Sequence, residues 1–291
     1  MEISRRSFLK ASGGLAGLAV CQPLVTKTAQ AATDADSASH KAMLIDVTKC
    51  VGCWYCYAAC KKQNGYPEVN RPTPDDPPDL AHNVWTTLHI SEKDGVQRFR
   101  KQACMHCTDA ACVRVCPTGA LSYNELGFVQ YDKEKCSGCG YCTQYCPFEI
   151  PRLDEEAISN DRIDKCTFCF SRVTAGGQTA CSAACPTGAI KFGNRGELLE
   201  EGKARVTELQ KDNAKASLYG DSDVLGGLHV MYVLDDAAES YGLPADPTLP
   251  APAVVHEVIQ WVGIGAFFAM VGGFSLNYLV ARARIAREEK K

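Results

Sequence analysis

Cysteine is the residue type whose number and spacing carry chemistry in this chain. The 291 residues include 17 of them. Setting Cys21 aside, the others fall into four quartets. Cys50, Cys53, Cys56 and Cys60 follow C-x2-C-x2-C-x3-C. Cys136, Cys139, Cys142 and Cys146 repeat that spacing, with Pro147 next. Cys104, Cys107, Cys112 and Cys116 follow C-x2-C-x4-C-x3-C before Pro117, and Cys166, Cys169, Cys181 and Cys185 follow C-x2-C-x11-C-x3-C before Pro186. Thiolates are soft donors that suit iron. Three of them on one tight loop wrap one face of a cubane, and the fourth is carried away on the following helical turn. Disulfides are a poorer reading, because cysteines so close in sequence pair badly and four regular quartets are an odd framework. Structural zinc draws on two separated pairs rather than on triplet runs. The pattern predicts four [4Fe-4S] clusters.

In the C-x2-C-x2-C-x3-C-P run of bacterial two-cluster ferredoxins, the fourth cysteine ligates the other cluster of the pair. Flanking residues decide which quartets pair. Asp46-Val47-Thr48-Lys49-Cys50-Val51-Gly52-Cys53 and Asp132-Lys133-Glu134-Lys135-Cys136-Ser137-Gly138-Cys139 share D-x-x-K-C-x-G-C. Cys116-Pro117-Thr118-Gly119-Ala120-Leu121-Ser122-Tyr123 matches Cys185-Pro186-Thr187-Gly188-Ala189-Ile190-Lys191-Phe192. The chain is therefore an internal repeat. The second and third quartets form one inner module; the first and last supply the same half-motifs in reversed order and form an outer module wrapped around it. Cross-ligation then predicts four sets. The first takes Cys50, Cys53, Cys56 and Cys185, and the second Cys60, Cys166, Cys169 and Cys181. The third takes Cys104, Cys107, Cys112 and Cys146, and the fourth Cys116, Cys136, Cys139 and Cys142. One departure is Lys61, which stands where a proline follows the other runs.

These ligands need elements to hold them. Short strands are expected at Met43-Leu44-Ile45 and Phe128-Val129-Gln130-Tyr131, with a hairpin turning at Asn124 to Gly127. Residues 61–100 form an insertion. Its Pro72, Pro74, Pro77 and Pro78 make a loop, and its second part makes a hairpin turning at Asp94-Gly95. Gly196 to Leu209 has helical spacing, and Gly226 to Leu234 begins as a turn and ends as an apolar strand. The expected fold is α+β: two interleaved two-cluster ferredoxin-like modules plus one C-terminal transmembrane helix. Expected boundaries are 42–102 (first half of the outer module), 103–153 (inner module), 154–193 (second half) and 194–257 (extension).

The chain ends carry addresses. Ser4-Arg5-Arg6-Ser7-Phe8-Leu9-Lys10, a Gly-rich apolar stretch and Ala29-Gln30-Ala31 read as a twin-arginine export signal over 1–31, with Cys21 removed in it. Residues 32–41 read as a linker. Val258 to Val280 carries no charge and is long enough to span a bilayer. Trp261 and Tyr278 suit its interfaces, and the basic tail of 281–291 places the C-terminus in the cytoplasm. Gly265, Ala269 and Gly273 hint at a membrane partner. The body then lies on the periplasmic face, anchored in lipid.

Net charge of −3 argues against nucleic acid as a partner. No G-x-S-x-G, P-loop or H-E-x-x-H occurs, so no catalytic site is expected. His106 suits packing or a hydrogen bond to cluster sulfur, and His256 an interfacial anchor. Lys49, Lys135 and Lys165 each precede a quartet, which suggests compensation of cluster charge.

Cys136 through Leu153, Lys101 through Cys107, and Gly226 through Leu234 resemble the iron–sulfur (beta) subunit of membrane-bound respiratory formate dehydrogenases. The likeness runs from about Ala42 into the C-terminal helix. It implies electron transfer through four clusters between a large molybdenum- or tungsten-pterin catalytic subunit and an integral membrane cytochrome b-type subunit that reduces quinone. The cysteine pattern is shared more widely, with iron–sulfur subunits of molybdopterin reductases for polysulfide, tetrathionate, nitrate and dimethyl sulfoxide. It also occurs in a membrane-anchored hydrogenase, whose partner is a nickel–iron subunit. The leader on this chain departs from the formate family and fits the hydrogenase type. A scaffold protein with purely structural clusters is the alternative of another class.

Overall fold

A computed structural model describes residues 40–67, 71–93, 95–154 and 162–288. The stretch read as an export signal, most of the stretch read as a linker, and Asp94 lie outside them. Residues up to Ala253 belong to one compact body, and Val254 onward is a separate unit.

Helix and strand are mixed, as an α+β fold requires. The body runs β1 (Lys41–Asp46), α1 (Tyr55–Gln63), β2 (Thr87–Lys93), β3 (Val96–Gln102), α2 (Ala111–Arg114), β4 (Leu121–Tyr123), β5 (Val129–Tyr131) and α3 (Tyr141–Gln144). It continues with β6 (Arg152–Leu153), β7 (Ile163–Asp164), α4 (Phe170–Thr174), α5 (Ala180–Ala183), β8 (Ile190–Asn194), α6 (Arg195–Leu209), β9 (Ser217–Tyr219) and β10 (Val230–Leu234).

A four-stranded sheet in the order β8-β1-β10-β9 forms the back wall. β1 pairs parallel to β10 and antiparallel to β8. Alternation divides each strand between two faces. Ala42, Leu44, Met231 and Val233 pack with Leu198 and Val206 of α6. Met43, Ile45, Val230, Tyr232 and Leu234 face the other way, into a core shared with Trp54, Met105, Phe128, Phe168 and several cysteines. Gly202 lets α6 lie close, since a Cβ there would sit 2.8 Å from Leu218 and 3.2 Å from Leu44.

The repeat read in the sequence recurs in the register. β4 and β5 pair Leu121 with Tyr131 and Tyr123 with Val129. β8 and β1 pair the matching positions, Ile190 with Ile45 and Phe192 with Met43. Asp132 N–H donates to Ala120 O at 2.8 Å, and Asp46 N–H donates to Ala189 O at the same length. Each aspartate then caps a 3₁₀ turn, accepting from Glu134 N–H and Thr48 N–H respectively. Helix pairing follows the same rule: α2 packs with α3, and α1 with α5. The β4–β5 hairpin joins halves that are neighbours in sequence. The β1–β8 pair joins halves separated by the whole inner segment.

α1 is longer than its counterpart α3. Lys61 is the reason: with no proline after Cys60, the helix runs on to Gln63. Lys61 is itself buried, with its ammonium 5.6 Å from the Tyr57 ring centre. The expected second hairpin of the insertion is β2–β3, paired from Thr87↔Gln102 to Lys93↔Val96.

α7 (Ala251–Glu288) is described by itself. Its stretch Trp261–Glu288 is long and apolar enough to cross a membrane, and none of it is buried. Large apolar side chains such as Phe267, Phe274 and Leu279 stand exposed along it. A helix apolar all round needs a non-aqueous surrounding. The side chain of His256 lies outside the described residues.

Candidate metal centres

All sixteen cysteines from Cys50 to Cys185 are free thiols. They gather across sequence-distant segments. Cys50, Cys53 and Cys56 line one cavity with Cys185. Cys136, Cys139 and Cys142 line another with Cys116. Cys60 feels the charges of Cys166, Cys181 and Cys169. Cys107 feels those of Cys146, Cys104 and Cys112. In every group a member comes from the partner half-motif.

Neighbouring groups also sense one another, and this gives their order. Cys56 of the first group feels Cys181 of the second. Cys166 of the second feels Cys104 of the third, and Cys112 of the third feels Cys142 of the fourth. The first group thus neighbours the second, the second the third, and the third the fourth.

Unligated thiols in such company resist ionisation. Burial, aided by neighbouring thiols and opposed by Lys101, pushes Cys56 up to about 12. Burial does the same to Cys166, also to about 12. Cys146 is pushed up to about 11, mainly by burial. A bound cation inverts this balance, because a coordinating thiol is deprotonated outright. Among the described residues, no three His, Cys, Asp or Glu side chains close on a single ion position. The thiols of the first and fourth groups instead ring a cavity, the arrangement suited to a cubane whose iron corners each take one sulfur.

Buried polar atoms at these cavities fit a bound group. Trp54 Nε1 at the first, both ring nitrogens of His106 beside the third, and Tyr131 Oη at the fourth are buried without a partner at hydrogen-bond geometry. Tyr131 Oη faces the thiol of Cys136. His106 is fully buried, and burial with the nearby Lys165 ammonium holds its pKa well below the usual range, so the ring is neutral.

The backbone prepares each C-x2-C loop in one way. The residue before its second cysteine is left-handed: Gly52 (φ +64°), His106 (φ +48°), Gly138 (φ +72°) and Phe168 (φ +58°). Turns of this kind aim successive N–H groups into an anion-binding concavity. Phe168 N–H donates to Cys166 Sγ at 3.4 Å, and Ala180 N–H to Cys169 Sγ at 3.4 Å. Gly52 has a second reason to be glycine, because a Cβ would fall 2.6 Å from the Phe99 ring. His106 and Phe168 have none of glycine's freedom. Their rings pack on each other with centres 4.8 Å apart, and Phe128 lies 4.8 Å from Phe168. This ring contact joins the C-x2-C loop of the second group to that of the third.

Sequence reading missed several contributors. Thr118 and Thr187 place their hydroxyls 3.7 Å from Cys116 Sγ and Cys185 Sγ, in matching C-P-T-G turns. Asn64 donates to Cys60 Sγ at 3.6 Å. The repeat itself carried the threonine signal, and the asparagine left none.

The lysine expectation is corrected. Lys49 and Lys135 are exposed and pair with Asp46 at 3.4 Å and Asp132 at 3.0 Å. The D-x-x-K motif is thus a capped turn with an ion pair, so carboxylates rather than clusters take those charges. Lys165 is buried, and its ammonium donates to Val129 O and Cys166 O. A further buried lysine, Lys101, lines the first cavity.

The Gly226–Leu234 segment carries no ligand; it supports the centres. Leu228 bridges Cys107, Tyr232 Oη donates to Lys101 O at 2.8 Å, and His229 Nδ1 bonds Lys41 O at 2.7 Å.

Comparison with known proteins agrees with this geometry. Residues 96–195 match the family model for a 4Fe-4S dicluster domain. The nitrate-inducible formate dehydrogenase iron–sulfur subunit of Escherichia coli (strain K12) is 38% identical over 257 residues, 84% of this chain and 86% of the relative. The formate dehydrogenase iron–sulfur subunit of Haemophilus influenzae is 41% identical over 221 residues, 72% and 70% of the two chains. The hydrogenase-2 operon protein HybA of Escherichia coli O157:H7 is 34% identical over 224 residues, 70% and 66%. Four cysteine quartets on a twice-repeated scaffold, matched along most of its length, place the chain in the family of formate dehydrogenase iron–sulfur subunits.

Proposed function

We propose that this chain carries electrons between a pterin-containing formate dehydrogenase catalytic subunit and a cytochrome b-type membrane subunit, holding one [4Fe-4S] cluster in each gathered quartet. The row of four quartets carries this reading. When bound, such clusters supply one-electron transfer at potentials set by their surroundings. The chain has no catalytic site; its residues hold, space and shield. Both end groups reach the surface: Val51 beside Cys50 is 61% exposed, and Cys139 is exposed. The apolar chain departs from the body at Ala253, which packs with Val115 and Tyr141, residues that also line the fourth cavity. The fourth group therefore serves the membrane partner and the first serves the catalytic subunit. The leader sequence supports export by the twin-arginine route and a periplasmic body anchored in lipid.

A hydrogenase partner is the second reading, favoured by the leader on this chain and by the similarity to HybA. The higher identity to formate dehydrogenase subunits supports the first.

Cys60→Ser in the purified complex tests both ligation and function. The variant should lose the EPR signal of the second cluster and keep that of the first, while a pterin co-purifies with the large subunit. Loss of the first cluster's signal instead would overturn the cross-ligation. Clusters that do not reduce and reoxidise during turnover would make the protein a scaffold, and nickel in place of pterin would make it a hydrogenase subunit.

A further inference from the structure

Lys101 and Lys165 are both buried among the quartets, and they differ in what their charges meet. Lys165 directs its ammonium to the carbonyls of Val129 and Cys166. Lys101, 2% exposed, lines the cavity of the first quartet with Cys50, Cys53, Cys56 and Cys185. The thiols that dominate its field are Cys181 and Cys166 of the second quartet and Cys56 of the first. It thus stands at the junction of two quartets, where their own neighbour relation runs through Cys56 and Cys181.

The scaffold fixes Lys101 firmly. It lies in β3 opposite Leu88, three residues before Cys104. Its carbonyl is held by Tyr232 of β10, which is fully buried.

We propose that Lys101 is a potential-setting residue: its buried ammonium, shared by the first and second quartets, raises the reduction potentials of the two clusters they hold. A fixed positive charge in a low-dielectric setting stabilises the reduced, more negative state of each. One electron enters a quartet's cluster from one neighbour and one leaves to the other, so the lysine alters energies and not the electron count. The consequence is a functional division of the row. The two quartets nearest the catalytic end are tuned by a shared charge. At the junction of the second with the third stand the His106–Phe168 ring pair and Lys165, whose ammonium is instead taken up by the carbonyls of Val129 and Cys166.

The inference rests on the quartets holding clusters, and iron content tests that part separately. In the assembled complex, Lys101→Met removes the charge at similar length. EPR-monitored redox titration should show two of the four signals shifted to lower potential and two unmoved, with iron and sulfide equal to wild type. Lys101→Arg should keep all four near wild type, and Lys49→Met, which removes an exposed lysine, should move none. Unmoved potentials in Lys101→Met at full iron content would overturn the role, as would a shift of all four. If Lys101→Met does not assemble, Lys101→Gln is titrated instead: a downward shift confined to two signals supports the role, and unmoved signals overturn it. A wild-type complex without iron in the first two quartets would refute the cluster reading and not the lysine's placement.

Discussion

Thr118 and Thr187 occupy one place in two turns that the chain builds far apart. Each hydroxyl is poised 3.7 Å from the sulfur two residues before it. A hydroxyl that donates to thiolate sulfur favours the reduced cluster, because charge on sulfur grows on reduction. A net hydrogen bond of about 1 kcal/mol corresponds to roughly 40 mV for one electron. Thr187→Val should therefore lower the first cluster's potential by about that amount, and Thr118→Val the fourth's, in a redox titration of the single variants. An unchanged potential in both would mean the hydroxyls only shape the turn. Residue type alone misleads at neighbouring positions. A lysine before each quartet looks like charge compensation, yet Lys49 and Lys135 answer to the aspartates three residues earlier. His106 and Phe168 fill a left-handed position where Gly52 and Gly138 mark it openly. The sequence hides that position because packing, not conformational freedom, secures it.

At the level of elements, β10 does the least expected work. Local pattern located it, since Gly226-Gly227 breaks the chain and five apolar residues follow. Its parallel partnership with β1 has no local signal, because parallel pairing across a long connection leaves no turn to read. The hairpins were legible for the opposite reason: their turns lie in the sequence between alternating runs. His229, at the entry to β10, joins these strands. It is buried, bonded to Lys41 O, and faces Arg195 and His40. Burial, with those cations adding to it, lowers its pKa to about 4 from 6.5. The folded state therefore holds a neutral ring, while the unfolded chain takes up a proton below pH 6.5. Stability from this residue is complete above that pH and is lost as pH falls toward 4, by roughly 3 kcal/mol in all. Thermal denaturation of the wild type should show that acid slope between pH 6.5 and 4. His229→Gln should flatten it while lowering stability at neutral pH. Equal slopes in the two proteins would remove His229 from the account.

Across the whole molecule, a polar body and one apolar helix divide the labour. Truncation after Ala253 should release the protein from membranes while leaving iron content and the four EPR signals intact. Retention at the membrane would mean that partner subunits, not the helix, hold it there. The quartets and the internal repeat were legible because cysteine spacing and the repeated C-P-T-G and D-x-x-K motifs are local. The order of the row was not, since it depends on how the outer module folds back over the inner one. Lys101 was hidden for the same reason: nothing near it in sequence reveals that Cys181, Cys166 and Cys56 surround it.

That fold-back also imposes a timetable. The Lys41–His229 bond joins residues 188 apart, and β10 sits between β1 and β9 in the sheet. The first strand synthesised thus waits for nearly the last before its inner neighbour exists. Long closures of this kind slow folding. The wall behind the first quartet stays open until Tyr232 and Leu234 emerge. Cofactor loading in the outer module is therefore a late event, completed only when the whole body has been made.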